Sequence, residues 1–306
     1  MDSTLHVVFS SFLFVEILFG ITINGFIVIV TWIEWKKHRQ LHPSDQILLC
    51  LALSRSSLLL TVLVINSAIT FFPHLQFHTS EFVLVVRLFF VYCSIWFGTI
   101  LSVYYCVKIT IYNNSFFMYI KTRISKLVPW FIGWSLLASL SSTLPIGWCV
   151  FTKDNLASSN ITLGVVIKVT NFVNLVLIYN FASSPPLVLC CVSVVLLIKS
   201  IWFHTRTMQE SASFQNLNMK SHFRILRGTS YFIFLYVSYY IIVNLTTSGI
   251  VKHNSAWIIL CSILTTATPV LHSAYLIFST SKLRRAFQSF FHFSGHTTQE
   301  VNLFNQ

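Results

Sequence analysis

Residues 7–33 read VVFSSFLFVEILFGITINGFIVIVTWI, an apolar run with one charge, Glu16. A helix of roughly 20 such residues spans the hydrocarbon core of a bilayer. A soluble core helix of that length keeps a polar face, and this run has none. Six more runs of the same kind follow, at about 47–72, 82–111, 127–151, 172–203, 229–251 and 255–279. Composition agrees: 55% of the 306 residues are hydrophobic and only 9% are charged. The expected fold is an all-α membrane protein. It is a single domain over 1–306, a bundle of seven transmembrane helices with a short tail at 280–306.

Orientation follows from Lys and Arg in the short loops, which favour the cytosolic side. With the N-terminus outside, the inner loops and tail hold Lys36, Lys37, Arg39, Lys121, Arg123, Lys126, Arg206, Lys220, Arg224, Arg227, Lys282, Arg284 and Arg285. The outer loops hold only Lys153, Lys168 and Lys252. An odd number of spans then places the C-terminus in the cytosol. The net charge of +12 is explained by anionic lipid of the inner leaflet, so nucleic acid is not an expected partner. Met1–His6 carries no Lys or Arg, and the run after it is too long for a cleaved signal. The first span is expected to act as its own insertion signal.

Three glycosylation sequons test this map. Asn160-Ile161-Thr162 falls in the outer loop after span four, Asn113-Asn114-Ser115 falls inside, and Asn244-Leu245-Thr246 falls within span six. Only Asn160 is expected to be modified. The seven Cys show no CxxC metal spacing and all lie within spans, where they read as small apolar packing residues. No nucleotide loop, GxSxG or HExxH occurs. No catalytic residue, metal or cofactor is expected. Seven spans do not divide into equal inverted halves, which disfavours a transporter. A small-solute transporter or channel stays as the alternative to a receptor.

Polar residues within spans are costly in lipid and need partners. Asn24, Arg55 and Ser102 sit at depths that can face the bundle interior. The Arg55 guanidinium has five donors and stays charged. It is expected to staple helices one, two and seven rather than to touch a ligand. Glu16 lies higher in span one, and its expected role is also structural.

The ordered set of motifs now carries a resemblance. Span one has Glu16, Gly20 and Asn24-Gly25-Phe26-Ile27, then Glu34-Trp35. Span two has Asp45-Gln46-Ile47-Leu48 and Leu51-Ala52-Leu53-Ser54-Arg55. Span three ends in SIWFGTILSVYYCVKI over 94–109. Span five carries Pro186, LLIKS over 196–200 and His204 with Met208-Gln209. Span seven carries Pro269 and Leu271-His272-Ser273, followed by Lys282-Leu283-Arg284. From Glu16 to Arg284 the chain resembles a bitter taste receptor, taste receptor type 2.

That resemblance implies a G-protein-coupled receptor at the plasma membrane. Its partners would be bitter small-molecule agonists and a gustducin-type heterotrimeric G protein. It also implies that Tyr104-Tyr105 with Lys108, and His272-Ser273, stand where rhodopsin-like receptors carry their Asp-Arg-Tyr and Asn-Pro-xx-Tyr switches. Two departures stand out. Arg87 and Val91 occupy positions where the family often has Trp and Asn, and Thr280 stands at a usual Asn. Arg87 either selects acidic ligands at the pocket mouth or serves the interface, snorkelling outward or pairing with Glu81.

A ligand pocket is expected between helices three, five, six and seven in the outer half. Its candidate residues are Arg87 and Val91, then Tyr179, Tyr240 and Asn244, with Ser262 and Thr265. Pro186 and Pro269 free backbone carbonyls and are candidate hinges. Asn24, Arg55, Tyr105, Lys108, His272 and Ser273 are the candidate structural and activation residues. After span seven, 282–293 reads KLRRAFQSFFHF, which places Leu283, Phe287, Phe290 and Phe291 on one face. This pattern is expected to lie on the inner leaflet as an amphipathic helix.

Overall fold

The computed structural model describes residues 3–71, 76–110, 115–150, 172–209, 216–247 and 256–290. Asn160 and Phe291 lie outside them, and the side chains of Glu81 and Cys149 are likewise not described. The described chain is all helix: α1 (Ser3–His38), α2 (Pro43–Phe71), α3 (Gln76–Ile109), α4 (Ser115–Val150), α5 (Phe172–Gln209), α6 (Asn216–Thr247) and α7 (Ala256–Ser279). Residues 281–290 form a further short helix, α8. Seven of these helices are long and apolar enough to cross a membrane. The helices overrun the apolar stretches at several ends, because backbone hydrogen bonding continues into the charged flanks.

The end where α1 starts is called upper here, and the end where α1 finishes is called lower. At the lower end the chain turns sharply. Lys36, Lys37 and His38 close α1, where positive charge suits the helix dipole. Arg39 takes the left-handed conformation at φ 56°, and its N–H donates to the Trp35 carbonyl at 2.7 Å. That geometry ends a helix. Pro43 then opens α2, where its missing N–H costs nothing. The His42 carbonyl accepts from the N–H of Asp45 (2.8 Å) and of Gln46 (3.1 Å).

Helix α3 is central and packs against α2, α4, α5 and α6, while α1 packs against α2 and α7. Gly20 lets α1 approach closely: a Cβ there would stand 2.6 Å from Leu59 of α2 and 2.6 Å from Val270 of α7. Small residues play this part in membrane bundles, where no hydrophobic effect draws helices together. Large apolar side chains such as Phe12, Phe19, Trp130, Trp134 and Phe181 face outward and stay exposed. In water such a surface would be a liability, and in lipid it is solvated. Thr and Ser hydroxyls within the helices return to carbonyls one turn back. Ser139 donates to Ser135 O and Thr143 to Ser139 O, both at 2.7 Å.

Candidate functional site

The site is built upward from Arg55, which is 2% exposed. Its Nε donates to Ser94 Oγ of α3 at 3.2 Å and its Nη1 to Ser273 Oγ of α7 at 2.8 Å. Its Nη2 meets His272 Nδ1 at 2.6 Å. The guanidinium only donates, so Nδ1 accepts and the His272 proton sits on Nε2. Ser273 in turn donates to Asn24 Oδ1 of α1 at 2.8 Å, and Asn24 Nδ2 donates to the Gly20 carbonyl at 2.8 Å. One cation thus ties α2 directly to α3 and α7, and reaches α1 through Ser273. The staple expected between helices one, two and seven therefore includes helix three as well. That extra arm comes from Ser94, whose hydroxyl the sequence did not single out.

Next to this network, Phe232 of α6 stacks on His272 with ring centroids 4.7 Å apart. It also stacks on Tyr236 at 6.1 Å. Gly98 makes room for it, since a Cβ at Gly98 would lie 2.7 Å from Phe232 Cε2. Tyr236 donates to the Ser183 carbonyl at 2.8 Å, in the turn of α5 where Pro185 and Pro186 supply no N–H. The Pro186 carbonyl accepts from Thr99 of α3 at 3.4 Å.

Above the stack lies a narrow cavity of about 60 Å³, with Arg55 at its floor and Arg87 higher on α3. Val91, Tyr239 and Thr265 also line it, and its walls come from α2, α3, α6 and α7. Below the stack lies a second cavity of about 220 Å³, walled by α3, α6, α7 and the start of α8, with Tyr105 and Arg224 on its lining. Phe232 and His272 line both cavities. This stacked pair is the partition between them.

Of the expected ligand residues, Arg87, Val91 and Thr265 line the upper cavity, and Tyr179, Tyr240, Asn244 and Ser262 do not. Tyr179 is buried against Tyr92 at 6.4 Å and stacks on Tyr240 at 6.2 Å. Asn244 accepts from Asn180 Nδ2 at 2.8 Å, and Tyr240 donates to Asn180 Oδ1. These groups knit α5 to α6. The Ser262 carbonyl accepts from Thr265 and Thr266 within α7. Helix five contributes no lining residue, and helix two takes its place with Leu58, Leu59 and Val62.

The remaining candidates sit lower. Lys108 Nζ donates to Tyr104 OH at 3.4 Å. His42, at the head of α2, is held below the usual imidazole pKa by burial first, then by Lys108 and Lys282, with Asp45 opposing. Lys282 pairs with Asp45 at 2.8 Å and with Glu34 at 3.5 Å. In α8, Leu283 is buried and Phe287 meets Phe26 edge-on at 5.8 Å, whereas Phe290 is exposed. Among the described residues no cluster of His, Cys, Asp or Glu could hold a metal ion.

The sequence model of the family described as taste receptor protein (TAS2R) matches residues 1–294. The chain belongs to the taste receptor type 2 family. It is 32% identical over 295 residues to human taste receptor type 2 member 2, covering 94% of this chain and 95% of that one. It is 32% identical over 288 residues to human member 39, covering 90% and 84%. It is 29% identical over 298 residues to chicken (Gallus gallus) member 40, covering 93% and 96%. Family membership and seven apolar helices make this taste receptor a multi-pass membrane protein and a chemosensory G-protein-coupled receptor of bitter taste. The transporter or channel alternative has no support among these relatives.

Proposed function

We propose that the upper cavity is the agonist site and that the Phe232–His272 partition relays its occupancy to a gustducin-type G protein at the lower cavity. The observation that carries this reading is the stacked pair shared by the two cavities. Small-molecule sites usually measure roughly 300–1,000 Å³, so the space of about 60 Å³ above the partition must widen to admit a bitter compound. Widening displaces α6 or α7, and both carry a member of the stacked pair. A ligand that favours the widened packing shifts a two-state equilibrium by its differential affinity. Arg87 at the upper part of the cavity selects agonists with acidic or acceptor-rich groups.

The upper end faces the outside of the plasma membrane in this reading, and the lower end faces the cytosol. Lys and Arg of the loops support that orientation. The receptor and the channel readings separate in one assay. In cells that display the chain, a bitter-compound panel should evoke calcium release only when a gustducin-type chimera is co-expressed. Current or uptake that persists without any G protein would sink the proposal. The partition has its own test: Phe232→Ala should change basal signalling or agonist efficacy at equal surface level. Unchanged efficacy for all agonists would remove the pair from the relay.

A further inference from the structure

A third cavity of about 330 Å³ opens between α3 and α4, with Leu189 of α5 at its edge. Its lining is almost wholly apolar, and Trp134 at its margin is 67% exposed on the outer surface of the bundle. This groove therefore has an opening toward lipid. Among the described residues its buried polar groups are accounted for except one. Thr99 Oγ1 donates to the Ile95 carbonyl at 3.0 Å. Ser135 Oγ donates to the Phe131 carbonyl at 2.9 Å. Tyr104 OH accepts from Lys108 at 3.4 Å. The exception is Trp96, whose indole N–H is buried with no acceptor.

Depth decides what can answer that N–H. Trp96 lies near the middle of the apolar span Val85–Ile109, so water and headgroups are remote. A buried donor without a partner there costs several kcal/mol by the usual scale for hydrocarbon. An acyl chain brings no acceptor to mid-bilayer. A membrane sterol keeps its hydroxyl at headgroup depth. The lining carries no charge, so an anion or cation gains nothing there. What remains is a neutral, lipid-soluble molecule carrying a carbonyl or ether oxygen.

We infer that the α3–α4 groove is a second ligand site, entered sideways from the bilayer, for neutral lipophilic compounds with one hydrogen-bond acceptor directed to the Trp96 indole. The compound slides its apolar body along Ile100, Val103 and Val128. It seats its acceptor at the upper end of the groove, where a small turn of the indole presents the N–H. The site is separate from the upper cavity, whose polar lining includes Arg55, Arg87, His272 and the α6 tyrosines.

Photolabelling of the full chain in cell membranes tests this directly. The probe is progesterone carrying a diazirine, a neutral ketone that partitions into lipid. Its saturable incorporation is expected in peptides of α3 and α4 that contain Trp96 or Trp134, competed by unlabelled progesterone. Trp96→Phe keeps the ring, removes the donor and should weaken labelling about fivefold, the usual worth of one neutral hydrogen bond. Ala138→Phe fills the groove from α4 and should abolish labelling. It decides the matter alone if Trp96→Phe does not reach the surface. A diazirine steroid hydrocarbon without oxygen should label weakly and be indifferent to Trp96→Phe. Labelling that never saturates, that ignores both variants, or that falls on α6 and α7 residues of the upper cavity would overturn the inference.

Discussion

Arg55 must donate in three directions at once, and this sets what a substitution does. Its fork reaches Ser94 on one side and His272 with Ser273 on the other. Arg55→Ala removes three charge-assisted bonds at bilayer depth, each typically worth about 1.5–3 kcal/mol. We expect surface expression and the response to every agonist to fall together. Arg55→Lys should not restore them, since a point charge cannot span the same partners. Loss of one agonist with others spared would make Arg55 a ligand contact instead. Arg87 has the opposite expectation, because it lines the cavity without being central to the staple. Arg87→Ala should weaken anionic agonists roughly five- to 150-fold, the range of a coupling of about 1–3 kcal/mol, and leave neutral ones within a few-fold. Added salt should weaken the unsubstituted receptor toward anionic agonists more than the variant. Dose–response curves that move together for both ligand classes would refute the selective role.

Between elements, the closest fit at the site is Phe232 against Gly98. A methyl at Gly98 overlaps the ring, and overpacking of this kind typically costs about 1–3 kcal/mol. Gly98→Ala should lower the melting temperature in detergent, and Phe232→Leu in the same chain should recover part of the loss. A coupling near 1 kcal/mol is expected from the double-mutant cycle, and purely additive losses would show that the pair does not touch. At α8 a different balance applies. The Lys282 ion pairs are partly exposed, and such pairs contribute about 0–1 kcal/mol. Leu283 is 1% exposed, and truncating a buried Leu costs about 2–5 kcal/mol. Leu283→Ala should therefore destabilise more than Lys282→Ala by thermal melting, and the reverse order would mean that charge anchors α8.

These contacts also show what a reading of the sequence reaches. The helices were legible because lipid demands long apolar runs with internally paired backbone. Arg55 was legible because a cation at that depth must find partners. The rotation of each helix was not. Lipid is as apolar as the bundle core, so neither a polar stripe nor a 3.6-residue period marks the inward face. Tyr179 and Tyr240 were expected in the pocket and instead pack α5 on α6. Leu58 and Leu59 looked like any other apolar pair in α2 and line the cavity. Phe232 gave no signal at all, since its importance rests on the absence of a side chain at Gly98, far away in sequence.

At the scale of the whole molecule, one choice governs every functional statement: which end faces the cytosol. The helices alternate, so α4 finishes and α5 begins at the end where α1 starts. The opposite end gathers Lys36, Lys37, Arg39, Lys108 and Lys282, a bias that directs a loop to the cytosolic side. In the proposed orientation the α4–α5 segment is extracellular, and with it Asn160-Ile161-Thr162. The other two sequons are closed to the glycosylation machinery for separate reasons. Asn244 sits within α6, bonded to Asn180 of α5. Asn113-Asn114-Ser115 joins, in the sequence, α3 to α4, and α3 finishes at the opposite end. Glycosidase digestion should therefore sharpen and shift the receptor band on a gel, and Asn160→Gln should remove the shift completely. A variant that still shifts places Asn113 or Asn244 outside. The first outcome would invert the bundle, putting the proposed agonist cavity on the cytosolic face and the proposed G-protein surface outside the cell, a topology in which this receptor could not signal.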